Sequence, residues 1–248
     1  MRYTLILLLT LGWVNLVSQT TINQLNIYGL RYSAQMQLTS KQGLTIELED
    51  RRFLENNRQF QFIAPITYNY RINKNFIVAQ GLATSAARPA DAHSEHTIDK
   101  FELRPFQEFT VLKSFGKGFQ FAGRFRTEER FFLHSIDPDP FHVDRFVLRT
   151  RFRVQISKNF DFQDKEKYLL LKIATEPQLH FGKTLTPYLF DQNQFTFSGE
   201  IPLGRLSAFE LALINWVQKR PEPGVLSVRN HVRFSFIQRF SFMGKSRS

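Results

Sequence analysis

From residue 25 onward the chain alternates apolar and polar side chains with a period of two, the signature of a β-strand with two unlike faces. Between residues 144 and 156, Phe146, Leu148, Phe152, Val154 and Ile156 share one face, interrupted only by Thr150. Arg145, Val147, Arg149, Arg151, Arg153 and Gln155 share the other. Just before it, Phe119, Phe121, Phe125 and Phe131 alternate with Gln120, Arg124, Arg126, Glu128 and Arg130. Near the carboxyl end, Val228, Val232, Phe234, Phe236, Phe240 and Phe242 oppose Arg229, His231, Arg233, Ser235, Arg239 and Ser241. A helix would spread these arginines around its whole circumference, so the pattern predicts strands.

Weaker alternation predicts further strands. Tyr28, Leu30, Tyr32, Ala34, Met36 and Leu38 oppose Arg31, Ser33, Gln35 and Gln37, while Leu44, Ile46 and Leu48 oppose Thr45, Glu47, Glu49 and Arg51. Residues 60–72, 76–84, 101–112, 168–180, 192–203 and 207–218 complete the set. Pro65, Pro105, Pro177 and Pro202 each remove a ladder donor and are expected at bulges or strand ends. Short connectors rich in Gly, Asn or Ser (40–43, 73–75, 114–118, 204–205) and longer ones (88–99, 133–144, 181–191, 220–224) roughly alternate from the middle of the chain onward. That is the pattern of an all-β, up-and-down antiparallel transmembrane barrel, with short turns at one end and long loops at the other. The segments number about eleven, but single-chain bacterial barrels generally have an even count. One strand is therefore expected to be hidden near residues 20–29 or 157–167, giving ten or twelve strands, with twelve slightly preferred.

The amino end breaks the pattern. Arg2 is followed by the apolar run Leu5 to Leu11 and then by Asn15, Ser18 and Gln19, the layout of a secretory signal peptide. Residues 1–18 are read as that peptide and residues 19–248 as one barrel domain. Composition narrows the classes further. The 248 residues include 27 Phe and no Cys, which excludes disulfide scaffolds, Cys-based zinc sites and thiol enzymes. A mean hydropathy of −0.29 leaves no room for many helical spans.

Alternation alone does not distinguish a soluble barrel from one in lipid, because the two invert the same pattern. The density of charge on the polar faces favours the lipid arrangement. The predicted lumen network comprises Glu47, Glu49, Arg51, Glu102, Arg104, Glu108, Arg124, Arg126, Glu128, Arg130, Arg149, Arg151, Arg153, Lys172, Glu176, Glu200, Glu210, Arg229, Arg233 and Arg239. Mixed signs at matching depths imply ion pairs that narrow the lumen, and the phenylalanines become mostly the lipid-facing half. The formal charge of +11 then describes the lumen and not a nucleic-acid surface.

Several phrases occur in a familiar order: Glu47, Leu48, Glu49 and Arg51; Tyr70 through Asn75; Glu102 through Gln107; Arg124 through Phe131; Arg145 through Arg151; Glu176; and Phe190 through Asn193. Over most of the chain after the signal segment this resembles the domain-of-unknown-function family 2490 of Gram-negative bacteria. The resemblance implies an outer-membrane β-barrel and supplies no catalytic residue. Gln194 stands where that family tends to have an arginine, and a six-residue tail follows Phe242.

The arginine ladder is the most distinctive chemistry, since guanidinium forks bind phosphate and carboxylate bidentately; in a narrow lumen, glutamates are the first expected partners. Asp91, His93, Glu95 and His96, and likewise Asp137, Asp139 and Asp144, read as solvated loops without the spacing of a metal site. His231 and His180 with Ser198, Ser227 or Ser235 lack a nucleophile-elbow motif. The expectation is an outer-membrane barrel with a structural, adhesive or weakly transporting role, no catalytic residue and no cofactor. Its partners would be outer-membrane lipid and the barrel-assembly machinery, with no nucleic acid. An anion-preferring channel is the alternative, and a lipid-modifying barrel enzyme the second alternative.

Overall fold

The computed structural model describes residues 21–88, 92–93, 100–133, 143–162, 168–182, 189–219 and 225–242. Residues 1–18, read above as a signal peptide, lie outside these. Eleven strands follow one another: β1 (Thr21–Gln37), β2 (Gln42–Phe53), β3 (Gln59–Arg71), β4 (Phe76–Ala87), β5 (Lys100–Ser114), β6 (Phe119–Leu133), β7 (Val143–Asp161), β8 (Tyr168–Phe181), β9 (Phe190–Pro202), β10 (Ser207–Lys219) and β11 (Val225–Ser241). Each pairs antiparallel with the next, and β1 pairs with β11 to close the barrel. Connectors 38–41, 72–75, 115–118 and 203–206 lie at one end, and connector 54–58 at the other.

The strand number corrects the expectation of ten or twelve. Residues 21–29 are the first half of β1, and residues 157–161 are the tail of β7. The chain there lengthens existing strands instead of adding one. With eleven strands the first and last run in the same direction, so the closing pair is parallel, from Thr21 opposite Val225 to Gln37 opposite Ser241. A parallel ladder satisfies the same backbone groups with slanted bonds, and so closes the sheet as completely.

Opposed residues traced around the barrel give its stagger. From Arg31 the path through Glu49, Ile63, Ser85, Glu102 and Phe132 reaches Arg145. The opposite path through Ser235, Glu210, Glu200 and Leu170 reaches Asn159. The 14-residue offset between Arg145 and Asn159 corresponds to a strand tilt of roughly 40°. Barrels of about 8 strands are filled by side chains and those of 16 hold a water channel. Eleven strands leave a restricted interior.

The prolines behave differently from expectation. Pro65, Pro105 and Pro177 sit within β3, β5 and β8, and only Pro202 ends its strand. Register shifts fall instead between Arg51 and Arg52, Phe132 and Leu133, and Gln178 and Leu179. Pairing of β2 with β3, β5 with β6 and β7 with β8 skips the positions beside each mid-strand proline and resumes in the same register. One missing N–H interrupts one ladder, and the neighbour on the other side is untouched.

The two faces have opposite polarity. Large apolar side chains stand exposed on the outside, among them Leu30, Ile66, Ile173, Phe195, Leu213 and Phe234. Opposed aromatic rings meet there across strands, as in Phe125 with Phe152 at 4.9 Å and Phe131 with Phe146 at 5.1 Å. Buried polar groups face inward. Not every inward position is polar: Ile27, Phe53, Phe60, Ile214 and Trp216 form an apolar cluster inside the barrel, joined by Ala92. The Ala92 carbonyl accepts from Asn56 Nδ2 at 2.7 Å and from an Arg58 guanidinium nitrogen at 3.1 Å. Phe53, Phe60, Phe106 and Phe132 thus depart from the outward pattern expected of most phenylalanines. Gly81 makes room for one of them: a Cβ there would lie 2.4 Å from both the Ile66 carbonyl oxygen and the Phe106 ring.

Candidate functional site in the barrel lumen

Inward alternation on β6 and β7 sets arginines directly opposite each other: Arg124 faces Arg153, and Arg126 faces Arg151. Like charges at opposed positions repel. Carboxylates from the flanking strands resolve this. Glu176 of β8 accepts from Arg124 at 2.8 Å and Arg153 at 3.2 Å, and also pairs with Arg151. Glu108 of β5 accepts from Arg126 Nε at 2.9 Å and lies 3.5 Å from Arg124. Glu128, wholly buried, accepts from Arg149 Nε at 2.7 Å and Arg151 at 2.8 Å, and lies 3.5 Å from Arg126 and 4.0 Å from Arg104. Glu102 binds Arg104 through two bonds of 3.0 and 2.8 Å and Arg130 through two of 2.5 and 3.0 Å. Among the described residues, seven guanidiniums on β5–β7 therefore share five carboxylates, the fifth being Asp191 beside Arg149.

On the facing side, among the described residues, no arginine stands directly opposite another. Glu210 on β10 accepts from Arg31 at 3.0 Å, Lys172 at 2.8 Å and Arg233 at 3.2 Å. Glu200 takes Lys172 at 2.7 Å and Arg239 at 2.6 Å, Glu49 takes Arg51 at 2.6 Å, and Glu47 lies 3.4 Å from Arg31. Arg51 also lies 4.8 Å over the Trp216 ring, and Arg229 at 5.6 Å. Around these walls runs a cavity of about 840 Å³.

Fifteen of the twenty predicted network residues line that cavity: Glu47, Glu49, Arg51, Arg104, Arg124, Arg126, Arg130, Arg149, Arg151, Arg153, Lys172, Glu176, Glu210, Arg229 and Arg233. Glu102, Glu108, Glu128 and Glu200 do not line it; they act on the bases in front of them. Arg239 sits toward the turn end, at the rim of a smaller cleft. Sequence reasoning missed Arg31, whose parity on β1 placed it on the polar face, and Gln155, which accepts from Arg153 at 3.1 Å. It also missed Asp191, which lies 3.6 Å from Arg149 and accepts from Gln218 at 3.1 Å. Asp191 fell inside a stretch read as loop, so alternation offered no signal for it.

The remaining candidate groups are scattered. His231 is buried, 3.8 Å from Glu49, and neither ring nitrogen has a hydrogen-bond partner. It fills the space left by Gly29, where a Cβ would lie 2.5 Å from its Nε2. Ser235 accepts from Arg31 Nε at 3.1 Å, and Ser198 donates to Glu210 at 3.4 Å. His180 lies 3.7 Å from Asp191. His93 lies 3.1 Å from Glu55, while Asp91, Glu95, His96, Asp137 and Asp139 lie outside the described residues.

Fold and site together define a closed β-barrel with an outward apolar face and an arginine–glutamate interior. Residues 29–226 match the family described as protein of unknown function (DUF2490), and the chain belongs to that family. No curated protein and no solved structure matches it.

Proposed function

We propose that this chain is an outer-membrane β-barrel, exported by a signal peptide spanning residues 1–18, with a narrow, ion-paired lumen and a structural or weakly transporting role. One observation carries the reading: the polarity is inside out for a water-soluble barrel. Ile173 is 63% exposed, Leu30 54% and Phe195 53%, whereas Glu128 is 0% exposed, Glu176 1% and Glu200 2%. Water gives no reason to bury carboxylates behind arginines while exposing phenylalanine ladders. Hydrocarbon does, because lipid-facing charge is costly and lipid-facing phenylalanine is not. Short connectors at one end then match periplasmic turns and the longer ones extracellular loops. Outer-membrane lipid and the barrel-assembly machinery are the partners this requires.

The test is fractionation with heat-modifiable electrophoresis. Recovery in the outer-membrane fraction, with a folded band that shifts on boiling, is the expected result. A detergent-free soluble monomer would sink the reading.

A second reading, an anion-preferring channel, is favoured by the excess of guanidiniums over carboxylates on β5–β7. Planar-bilayer recording separates the two. Steady, anion-selective conductance that is lost in Arg149→Ala and Arg151→Ala would favour the channel, and a silent bilayer would favour the structural barrel.

A further inference from the structure

We infer that the lumen cavity is a binding site for a multiply charged oxyanion, a small molecule carrying two or more phosphate or carboxylate groups, held against the arginines of β5–β7. The inference rests on the barrel reading above and assigns a ligand class to its lumen. Three observations converge. The cavity, about 840 Å³, has the size of a small-molecule pocket and excludes a macromolecule.

Charge is the second. Among the described residues, the seven guanidiniums of this wall exceed their five carboxylates by two, and Glu102, Glu108, Glu128 and Glu176 are each already engaged by two or more bases. Surplus like charge inside a water-poor barrel is expensive unless a counter-charge is present. A confined surface of one sign also concentrates opposite ions.

The third concerns hydrogen bonds. Among the cavity-lining residues, Arg124 Nε and Arg145 Nε on this wall carry a buried nitrogen with no partner, as do Arg88 Nε, Gln178 Nε2, Trp216 Nε1 and Arg233 Nε elsewhere around the cavity. All six are donors. The shell around the cavity is thus donor-rich, and paired N–H groups on the planar guanidiniums that line the cavity select oxyanions over a single-centre halide. The surplus of two charges calls for a ligand bearing more than one.

The test uses the full chain carrying Trp13→Phe, so that Trp216 is the sole tryptophan, folded in detergent and checked for heat-modifiable mobility. Tripolyphosphate and citrate are titrated separately at constant ionic strength in sodium chloride, with tryptophan emission and calorimetry as readouts. Saturable binding of at least one probe is expected; the stronger binder tells phosphate from carboxylate preference. Gln155→Glu puts a fixed carboxylate beside Arg153 without removing a cation, and should weaken binding by about tenfold. Arg124→Gln should do likewise, and Arg239→Gln, remote from the cavity, should leave affinity within about twofold. A heat-modifiable barrel that binds neither probe, or binds them unchanged in both Gln155→Glu and Arg124→Gln, overturns the site and leaves the barrel standing. A chain with no heat-modifiable folded form overturns the barrel and the site together.

Discussion

The two sides of the lumen solve the same problem differently. On β5–β7, Arg104, Arg124, Arg126, Arg130, Arg149, Arg151 and Arg153 crowd around Glu102, Glu108, Glu128 and Glu176, so each carboxylate serves several cations. On the facing side, Arg31, Arg51, Lys172, Arg233 and Arg239 meet Glu47, Glu49, Glu200 and Glu210, and aromatic surface from Trp216 supplements the carboxylates. Both sides come from strands with the same polar alternation. The difference is that β6 and β7 place arginines opposite arginines, and no strand across the lumen does. One side therefore spreads its cations between carboxylates and an aromatic ring, while the other sets like charges against each other and must bridge them with shared carboxylates.

Removing a carboxylate from the crowded side should break the comparison most severely. Glu128→Gln leaves seven guanidiniums on four acids and should cost about 3–5 kcal/mol, read as a lower urea midpoint for loss of the heat-modifiable band. Glu210→Gln on the facing side should cost less, about 2 kcal/mol in the same assay, because Arg31 keeps Glu47 and Lys172 keeps Glu200. An equal loss in both variants would mean that the walls do not differ. Gly81→Ala tests the packing behind the crowded wall: the new methyl meets Phe106, over which Arg126 lies at 4.2 Å. About 1–3 kcal/mol of destabilisation is expected there. Gln155→Glu should shift stability the other way, by about 1 kcal/mol in favour of the fold, since it supplies a carboxylate where one is lacking. Arg239→Gln should be smallest, under about 1 kcal/mol, because this side chain is 37% exposed at the turn end and water replaces what Glu200 loses.

Strand positions were legible wherever one face was uniformly apolar. β7 shows this: the exposed Phe146, Phe152, Val154 and Ile156 and the inward Arg149, Arg151 and Arg153 are separated by parity alone. Legibility failed where the inward face was itself apolar, as at Ile27, Phe53, Phe60 and Trp216, since nothing in their local pattern distinguishes an inward ring from an outward one. It failed again at Asp191, two residues into β9 and beside the β8–β9 register shift, where a bulge resets the alternation. The count of eleven was visible among the segments themselves, and only the preference for even numbers argued against it.

Period-two patterning dictated that this chain forms strands and, where one face is uniformly apolar, which residues belong to each face. Those are local properties, set by successive side chains pointing to opposite sides of a strand. Register, stagger and closure set which arginine meets which glutamate, because partners such as Arg151 and Glu176, or Arg31 and Glu210, lie on different strands and meet only across the sheet. The charge surplus on β5–β7 belongs to that second category. β7 alone supplies three of its arginines, but their opposition to those of β6 arises from how the two strands align.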